Sequence, residues 1–262
     1  MVARAPKLKW IQAMGAGVDR VLTNDIVESP VIMTNVSGIH ATTISEFVIC
    51  TMLMFVKQSQ SCFQMKQNKE WGRFNASVLR GKTVGIVGLG SIGWEVARLT
   101  KAFGMRVLAI RRSARRVGRA RYVDIMLPPD KLKQLLTESD FVVLALPFTR
   151  ETGKFIGEEE LRAMKPTAYL INIARGGIVD EEVLIRALEE HWIAGASLDV
   201  FTTEPLPVDS KLWELPNVIF SPHVAGGMDD YALRATEVFS ENLRRYLHGK
   251  KLLNVVDKQK GY

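Results

Sequence analysis

An arginine, a glutamate and a histidine stand at the ends of three apolar runs in the second half of the chain. Arg175 ends the run AYLINIAR, Glu204 follows AGASLDVF, and His223 ends NVIFSPH. A planar guanidinium pairs well with a carboxylate, and histidine exchanges a proton readily near neutral pH. A glutamate hydrogen-bonded to that histidine would stabilise its imidazolium form. Each residue taken alone could be structural, so other motifs have to support a common site.

A glycine pattern earlier in the chain is typical of a dinucleotide-binding turn. GLGSIG, from Gly88 to Gly93, fits G-x-G-x-x-G between an apolar run and a helical pattern. Gly88 permits the tight turn, Gly90 lets backbone N–H groups approach a diphosphate, and Gly93 lets the helix pack against the strand. The helix start, with Ser91 and Ile92, would offer free N–H groups to the phosphates. The alternative is a glycine turn that binds nothing.

The segment AIRRSARRVGRAR, residues 109–121, holds six arginines. Such a run could bind DNA, RNA, an acidic membrane or one small phosphate, or it could be a solvated helix face. NAD enzymes place an acidic residue at the end of the second strand, where it binds the ribose 2′-hydroxyl. Here that position reads Arg111-Arg112-Ser113. Guanidinium groups would instead hold a 2′-phosphate, so these residues predict NADP as the preferred cofactor, with NAD possible.

Apolar runs alternate with helical patterns from residue 82 onward. The predicted strands are 82–89, 105–112, 140–147, 168–175, 194–201 and 217–223, and the predicted helices are 92–104, 130–139, 158–166 and 180–191. Strands buried on both faces that alternate with helices predict an α/β fold with a doubly wound parallel sheet of the Rossmann type. Ligands bind at the carboxyl ends of such strands, where Arg175 and His223 are placed.

The segments outside this alternation are two short strands and two helices. LKWIQAM is predicted to be a strand that leads into a glycine-rich turn, and VIMTNV (31–36) is a second strand. Apolar residues then recur at helical spacing from Ala41 to about Gln67, which predicts one long amphipathic helix. A polar linker follows, and the stretch 229–250 is predicted to be a long terminal helix.

The composition is that of a soluble globular protein with a local excess of positive charge. The chain has 262 residues and a formal net charge of +7, and the arginine run at 109–121 accounts for six of these charges. A local excess favours a local anion over a nucleic-acid coat. Cys50 and Cys62 lie twelve residues apart on the predicted helix, too far to pair, which suggests a reducing compartment and a cytoplasmic location. No secretory signal or membrane span is recognised, and no metal site is predicted.

Three further stretches complete a family pattern with GLGSIG: INIARGGIVDEEVL (171–184), LDVFTTEPLP (198–207) and SPHVAGG (221–227). In this order they resemble the D-isomer-specific 2-hydroxyacid dehydrogenases, and SGIHATTISEF (37–47) is most similar to the glyoxylate/hydroxypyruvate reductase branch. The resemblance implies an oxidoreductase that transfers a hydride between NAD(P)H and a small 2-ketoacid. His223 would give the proton, Glu204 would support it, and Arg175 would bind the substrate carboxylate and polarise the carbonyl.

The resemblance also implies binding residues around the catalytic Arg175, Glu204 and His223. Substrate would contact Val36, Ser37, Gly38, Arg175 and His223. Cofactor would contact Gly88, Gly90, Ser91, Ile92, Gly93, Arg111, Arg112, Ser113, Leu146, Pro147, Thr149, Ile173, Ala174, Arg175, Asp199, His223, Ala225 and Gly226. Formate dehydrogenases resemble this fold but carry glutamine at the position of Glu204, so the glutamate argues against formate oxidation.

The chain departs from the family at its N-terminus, where a further βαβ stretch is expected before LKWIQAM. Residues 1–38 and 228–262 are therefore predicted to form an incomplete, flavodoxin-like substrate domain, and residues 39–227 a complete dinucleotide-binding domain. The helix 41–67 and linker 68–80 correspond to the arm that pairs subunits in the family, which predicts a homodimer. Two alternatives stay open: a non-enzymatic dinucleotide-sensing protein of this fold, and a nucleic-acid binder, which no aromatic residues among the arginines support.

Overall fold

A mostly parallel sheet of eight strands forms the centre of the protein, shown here by a computed structural model that describes residues 2–262. In the order of the chain, the strands of this sheet are β3 (Thr83–Val87), β4 (Arg106–Ile110), β5 (Gly118–Ala120), β6 (Val123–Leu127), β7 (Phe141–Leu144), β8 (Tyr169–Asn172), β9 (Gly195–Leu198) and β10 (Val218–Phe220). Their spatial order is β10-β9-β8-β7-β3-β4-β6-β5, and every pairing is parallel except that of β5 with β6. From β3 the chain builds the sheet first toward β4 and then, from β7 onward, in the opposite direction. In sheets of this kind ligands bind in the crevice at the carboxyl ends of the two strands where the direction changes, here β3 and β7.

Helices cover both faces of this sheet. They are α2 (Ala41–Val56), α4 (Ser91–Ala102), α5 (Leu132–Glu138), α6 (Glu158–Ala163) and α7 (Glu181–Glu189). A further helix, α3 (Ser59–Asn68), follows α2 and has no buried residue. On one face α2 and α4 pack over Val84, Ile86 and Val143, and on the other α5, α6 and α7 pack over Val142 and Leu144. Neighbouring strand residues such as Val142 and Val143 point to opposite faces, so both must be apolar.

A second, smaller unit contains β1 (Trp10–Gln12), β2 (Ile32–Thr34), the short α1 (Asn24–Val27) and the terminal helix α8 (Tyr231–Leu247). β1 and β2 are parallel, and Thr34 makes an antiparallel bridge to Val255. The Trp10 ring stacks against Phe239 and Tyr246 of α8, with ring centroids 5.7 and 5.6 Å apart. The unit therefore joins the two ends of the described chain, while the predicted boundaries at 38/39 and 227/228 remain predictions.

The predicted single helix over 41–67 is wrong, because the structure has two helices there. Gln58 between α2 and α3 has a left-handed φ of 53°. The Val56 carbonyl accepts the N–H of Ser77 at 2.8 Å, and the Gln58 side-chain amide donates to the Asn75 carbonyl at 3.2 Å. The returning segment thus occupies the Val56 carbonyl, which a continuous helix would have used, and its contact with Gln58 stabilises the break. Cys50 lies on α2 and Cys62 on α3, and both are free thiols.

Strands β5 and β6 were not predicted from the sequence. β5 comes from the second half of the arginine run and pairs antiparallel with β6 at the edge of the sheet, with an irregular register between Gly118 and Ala120. β6 is buried at its two end residues, Val123 and Leu127, and half-buried between them. Within residues 2–262, no helix combines the length and apolar character needed to cross a bilayer, and no cluster of three potential metal ligands was found.

Candidate active site

The carboxyl ends of β3, β7, β8 and β9 open into a cleft of about 820 Å³ between the two units. Its walls come from the glycine turn after β3, the loops after β7 and β8, the 221–227 loop, and the small unit. A cleft of this size is within the range of cofactor sites, about 300–1,000 Å³. The topology that reverses at β3 and β7 therefore produces the cavity at the predicted position.

The glycine turn has the geometry that a diphosphate requires. Gly88 has a left-handed φ of 106°, and a side chain there would overlap the Ala145 carbonyl. A side chain at Gly93 would overlap the Gly88 carbonyl, which explains how closely α4 packs on the turn. Gly90 instead faces open space, with no heavy atom within 4 Å of a virtual Cβ. The first bond of α4 is from Trp94 N–H to the Gly90 carbonyl, so earlier N–H groups of the helix are available to a ligand.

Arg175 follows β8 and is held by three groups. Its Nη1 donates to the carbonyl of the preceding residue, Ala174, at 2.7 Å. Its Nη2 and Nε donate to Asp19 Oδ1 at 3.0 and 3.2 Å. The buried Asn172 supports the turn, since its amide donates to the Arg175 carbonyl at 3.0 Å and its Oδ1 accepts from Ala174 N–H at 3.1 Å. These bonds occupy the Nε–Nη2 edge of the guanidinium and leave hydrogens on Nη1 and Nη2 for an anion in the cleft.

Glu204 and His223 form a pair at the end of β9 and β10. His223 Nδ1 lies 3.0 Å from Glu204 Oε2, so the imidazole Nε2 is the nitrogen left for a substrate. Burial raises the pKa of Glu204, but the hydrogen bonds from His223, from the Phe201 N–H and from Arg20 outweigh it, and the net pKa lies below its ordinary value of 4.5. The carboxylate is therefore ionised at neutral pH and supports a positive charge on the imidazole.

His223 has a left-handed backbone φ of 57°, which is uncommon for a residue with a β-carbon. Asp199 stabilises this loop: its Oδ1 accepts from the Ser221 hydroxyl at 2.6 Å and from the N–H groups of Val224 and Ala225 at 2.8 and 3.0 Å. Strained backbone of this kind persists where the surroundings over-determine it, and such positions cluster at functional sites. The Asp199 carboxylate thus positions the histidine loop from a buried place in the cleft wall.

The structure brings most of the predicted binding residues to the cleft. Those that line it are Ser37, Gly90, Ser91, Ile92, Leu146, Pro147, Ile173, Ala174, Arg175, Asp199, His223 and Gly226. The predicted residues outside its lining are Val36, Gly38, Gly88, Gly93, Arg111, Arg112, Ser113, Thr149 and Ala225. Val36 is fully buried in the small unit, and Gly88 and Gly93 lie beneath the turn rather than in the cavity.

Sequence reasoning predicted a glycine-rich turn after β1 but not its place in the cleft. Gly15, Ala16, Gly17, Val18 and Asp19 all line the cleft. A side chain at Gly17 would overlap the Arg175 guanidinium, which places this backbone directly against the arginine. GAG after a predicted strand was the available signal, since glycines in such a turn mark a close backbone approach. His40 and Tyr231, whose rings stack 5.6 Å apart, also line the cleft and were not predicted.

The predicted 2′-phosphate residues lie in an exposed loop after β4. Arg111, Arg112 and Ser113 are exposed, and the buried Ala114 anchors the loop. The Arg112 guanidinium lies 4.9 Å from the centre of the Tyr262 ring, and Tyr262 lines the cleft. Among residues 2–262, no carboxylate lies within ion-pair distance of the arginines at 111–121. Their charge is available to an anion.

The comparisons with known proteins agree with this architecture. The family model described as "D-isomer specific 2-hydroxyacid dehydrogenase, NAD binding domain" matches residues 49–225. The chain therefore belongs to the D-isomer-specific 2-hydroxyacid dehydrogenase family, which confirms the resemblance and the Rossmann-type fold predicted from the sequence. It is thus an oxidoreductase with an NAD-binding domain.

Individual relatives are glyoxylate reductases and related reductases. A glyoxylate reductase of Korarchaeum cryptofilum is 36% identical over 261 residues, which is 97% of this chain and 78% of the relative. A D-isomer specific 2-hydroxyacid dehydrogenase from Xanthobacter autotrophicus Py2, solved with NADPH and MES, is 32% identical with a TM-score of 0.90 over 100% of this chain and 81% of that one. An NADPH-dependent glyoxylate/hydroxypyruvate reductase from Sinorhizobium meliloti, solved with NADP and sulfate, has the same identity and TM-score and is covered over 82% of its length.

Proposed function

We propose that this protein reduces a small 2-ketoacid of the glyoxylate or hydroxypyruvate type to the D-2-hydroxyacid, with NADP(H) as the preferred cofactor. The observation that carries the proposal is the convergence of Arg175, His223 and the glycine turn on one cleft, with Glu204 bonded to His223 from behind the cleft lining. Glyoxylate reductases among the relatives support the substrate class. Relatives of similar fold that were solved with NADPH or NADP support the cofactor.

The cleft residues divide the chemistry between them. Bound NADPH would supply the hydride for the carbonyl carbon. His223 gives a proton to the carbonyl oxygen through Nε2, so that the ketone becomes an alcohol without leaving an alkoxide. Glu204 stabilises the imidazolium before the transfer, and Arg175 binds the substrate carboxylate and polarises the carbonyl. The turn at 15–19, which lies against Arg175, supplies backbone close to the same anion.

The cofactor would lie along the walls that the strand ends present. The N–H groups at the start of α4 would bind the diphosphate, since Gly90 leaves room there for a ligand. Ile173 and Ala174 would contact the nicotinamide, and Leu146 and Pro147 the adenosine side. Arg111, Arg112 and Ser113 would bind the 2′-phosphate. The exposed, unpaired arginines of this loop support that assignment, because a phosphate there would meet free guanidinium groups.

The wider proposal includes a homodimer built on the arm 41–80 and a reducing, cytoplasmic setting. Two exposed free cysteines are consistent with the latter. Residues 1–38 and 228–262 would act as the substrate domain and residues 39–227 as the cofactor domain. The small unit's contacts with Arg175 and Glu204 support this division of labour.

The decisive test is NADPH oxidation with glyoxylate, hydroxypyruvate and phenylpyruvate, compared with NADH at equal concentrations. We expect turnover with at least one ketoacid and a higher kcat/KM for NADPH. Replacement of His223 by Gln should reduce kcat by about 10²–10⁴-fold, the usual contribution of a general acid, while NADPH binding persists. A clear preference for NADH would contradict the cofactor assignment.

The same assay distinguishes the second candidate function, a dinucleotide-sensing binding protein without catalysis. Such a protein would bind NADPH, as measured by quenching of tryptophan fluorescence, but would oxidise none of it with any ketoacid. His223→Gln would then leave NADPH oxidation at the same background level as in the parent, since no proton transfer would depend on the imidazole.

A further inference from the structure

Two consecutive residues in the turn after β1 cross the cleft and contact both halves of the candidate catalytic group. Asp19 accepts hydrogen bonds from Arg175, and Arg20 Nη2 donates to Glu204 Oε2 at 2.8 Å. They come from the small unit, whereas Arg175, Glu204 and His223 follow strands of the large sheet. Asp19 contacts Arg175, whereas Arg20 contacts Glu204, the partner of the proposed proton donor His223.

We propose that Arg20 is a positioning residue for proton transfer: it shares one carboxylate oxygen of Glu204 with His223 and thereby weakens the hold of that carboxylate on the protonated imidazole. The inference rests on the proposed function, in which His223 is the proton donor. It adds a residue of the small unit that acts through Glu204 without touching substrate.

The geometry at Glu204 is the first support. Oε2 accepts from Arg20 at 2.8 Å and lies 3.0 Å from His223 Nδ1, whereas Oε1 accepts from the Phe201 N–H at 3.2 Å. A single oxygen therefore serves two positive groups. Arg20 and His223 share the attraction of this oxygen, and their positive charges repel each other. Glu204 therefore stabilises the His223 imidazolium less than it would if Arg20 were absent.

The other charged side chains near the Glu204–His223 pair are bonded to other groups. Asp19 and Arg175 pair with each other, Glu181 at the start of α7 accepts from the Thr202 N–H, and Asp199 is bonded to the histidine loop. Within residues 2–262, Arg20 is the one cation other than His223 within ion-pair distance of Glu204. Arg20 is thus the group whose removal changes the environment of the pair most directly.

The sign and size of its effect follow from charge and exposure. Without Arg20, Glu204 is left to His223 alone, so the imidazolium is favoured and persists to higher pH. The Arg20 side chain is 72% exposed, so water and salt screen it. Coulomb's law for a unit charge a few ångströms away in an aqueous dielectric gives a displacement of about 0.3–1 pH unit.

The test is an NMR titration of the His223 ring in the full chain, which needs neither cofactor nor turnover. Resonances from His40, His191 and His248 are separated by comparison with His223→Gln. In Arg20→Met we expect the His223 midpoint to move up by about 0.3–1 pH unit. Arg20→Lys, which keeps the charge, should stay near the parent. Arg98→Met is the matched control, because it removes another partly exposed Arg–Glu ion pair, with Glu95, whose residues do not line the cleft.

The salt dependence of the midpoint difference is a second measurement, and a merely structural role of Arg20 would not produce it. Raising the salt concentration should reduce the difference between Arg20→Met and the parent, because the screening length falls from about 10 Å at 0.1 M to about 3 Å at 1 M. An unchanged or lowered midpoint in Arg20→Met, or the same rise in Arg98→Met, would overturn the proposal. If the titration behaves as expected but no ketoacid is reduced, the proposed function fails while the coupling of Arg20 to His223 stands.

Discussion

Each of the two proposed catalytic side chains in the cleft, Arg175 and His223, contacts a carboxylate, and the two carboxylates come from different parts of the chain. Glu204 orients His223 from the same unit, whereas Asp19 orients Arg175 from across the cleft. Both carboxylates leave the reactive side of their partner free: Nε2 on the imidazole and the Nη1–Nη2 edge on the guanidinium. Positioning of this kind keeps a group in productive geometry before the substrate arrives.

Asp19→Ala tests whether the carboxylate positions Arg175. The guanidinium would lose its Nε–Nη2 partner, so we expect the KM for the 2-ketoacid to rise by about tenfold, the lower range for a charge-assisted hydrogen bond. The KM for NADPH should stay unchanged, because Asp19 belongs to the substrate side. Asp19→Asn, which keeps an acceptor oxygen, should recover part of the loss. Asp209→Ala, in an exposed loop, is the control, and an equal rise in both KM values would contradict the assignment.

At the scale of elements, the loop after β4 is the proposed determinant of cofactor preference. It is anchored by Ala114 and by the Arg111 N–H, which donates to the Leu127 carbonyl at 3.3 Å. Arg111→Ala combined with Arg112→Ala should lower kcat/KM for NADPH by about 10–100-fold, because charge-assisted bonds to phosphate are lost. kcat/KM for NADH should change little. Arg150→Ala, outside this loop, serves as the comparison, and parallel losses with both cofactors would contradict the prediction.

At the amino-terminal ends of the central strands, opposite the cleft, Asp140 links β3 and β7. Asp140 accepts the Thr83 N–H at 2.7 Å and the Lys165 ammonium at 2.8 Å, which ties the start of β3 to β7. Burial raises the pKa of Asp140, but these bonds and the nearby lysine charges lower it more, so the net shift is downward from 3.8. A depressed pKa contributes stability above the unfolded-state value, and that contribution is lost as pH falls through the folded-state value.

Asp140→Asn should therefore lower the free energy of unfolding by about 1–3 kcal/mol at pH 7, as for other lost bonds to a charged group. The difference from the parent should shrink as pH falls below the ordinary aspartate range, because the parent loses the same interaction there. Urea denaturation at several pH values measures it. Asp130→Asn is the control, since Asp130 is exposed and its Lys131 partner is 3.9 Å away. A pH-independent difference would rule out this explanation.

The elements that the sequence predicted well are those whose own residues determine them. β3, β4, β7 and β8 are continuous apolar runs, and their locations follow from burial on both faces. β5 lies in an arginine run with no apolar period, and the break at Gln58 depends on the returning segment 75–77. The proposed catalytic residues all lie in motifs that the sequence displays. The contacts of Asp19 with Arg175 and of Arg20 with Glu204 span 156 and 184 residues, and no local pattern records them.

At the scale of the whole molecule, the arm between residues 41 and 80 carries apolar side chains that the single chain leaves in water. Trp71 is 94% exposed, and Phe63 and Val78 are 60% and 56% exposed. Large apolar residues grouped in this way mark interaction surfaces. They are consistent with the proposed homodimer, in which a second copy would cover the arm.

We expect the protein to sediment at twice the mass of its chain, and Trp71→Ser combined with Phe63→Ser to shift it toward the monomer. Removing these side chains takes away apolar area that dimerisation would bury, at about 25 cal/mol per Å². Analytical ultracentrifugation across a dilution series measures the change. Val208→Ser, at a residue that is 97% exposed outside the arm, is the matched control. A monomer in the parent would refute the dimer.

The contact between Tyr262 and Arg112 has a practical consequence for handling the protein. Residues 254–256 and 261–262 line the cleft, and the Tyr262 ring lies over the arginine that would hold the 2′-phosphate. A bulky label attached to Tyr262 would stand beside Arg112 and the cleft, where the proposed cofactor has to enter. Labels for NADPH-binding assays therefore belong on residues away from Tyr262, and a label on this ring should itself weaken NADPH binding.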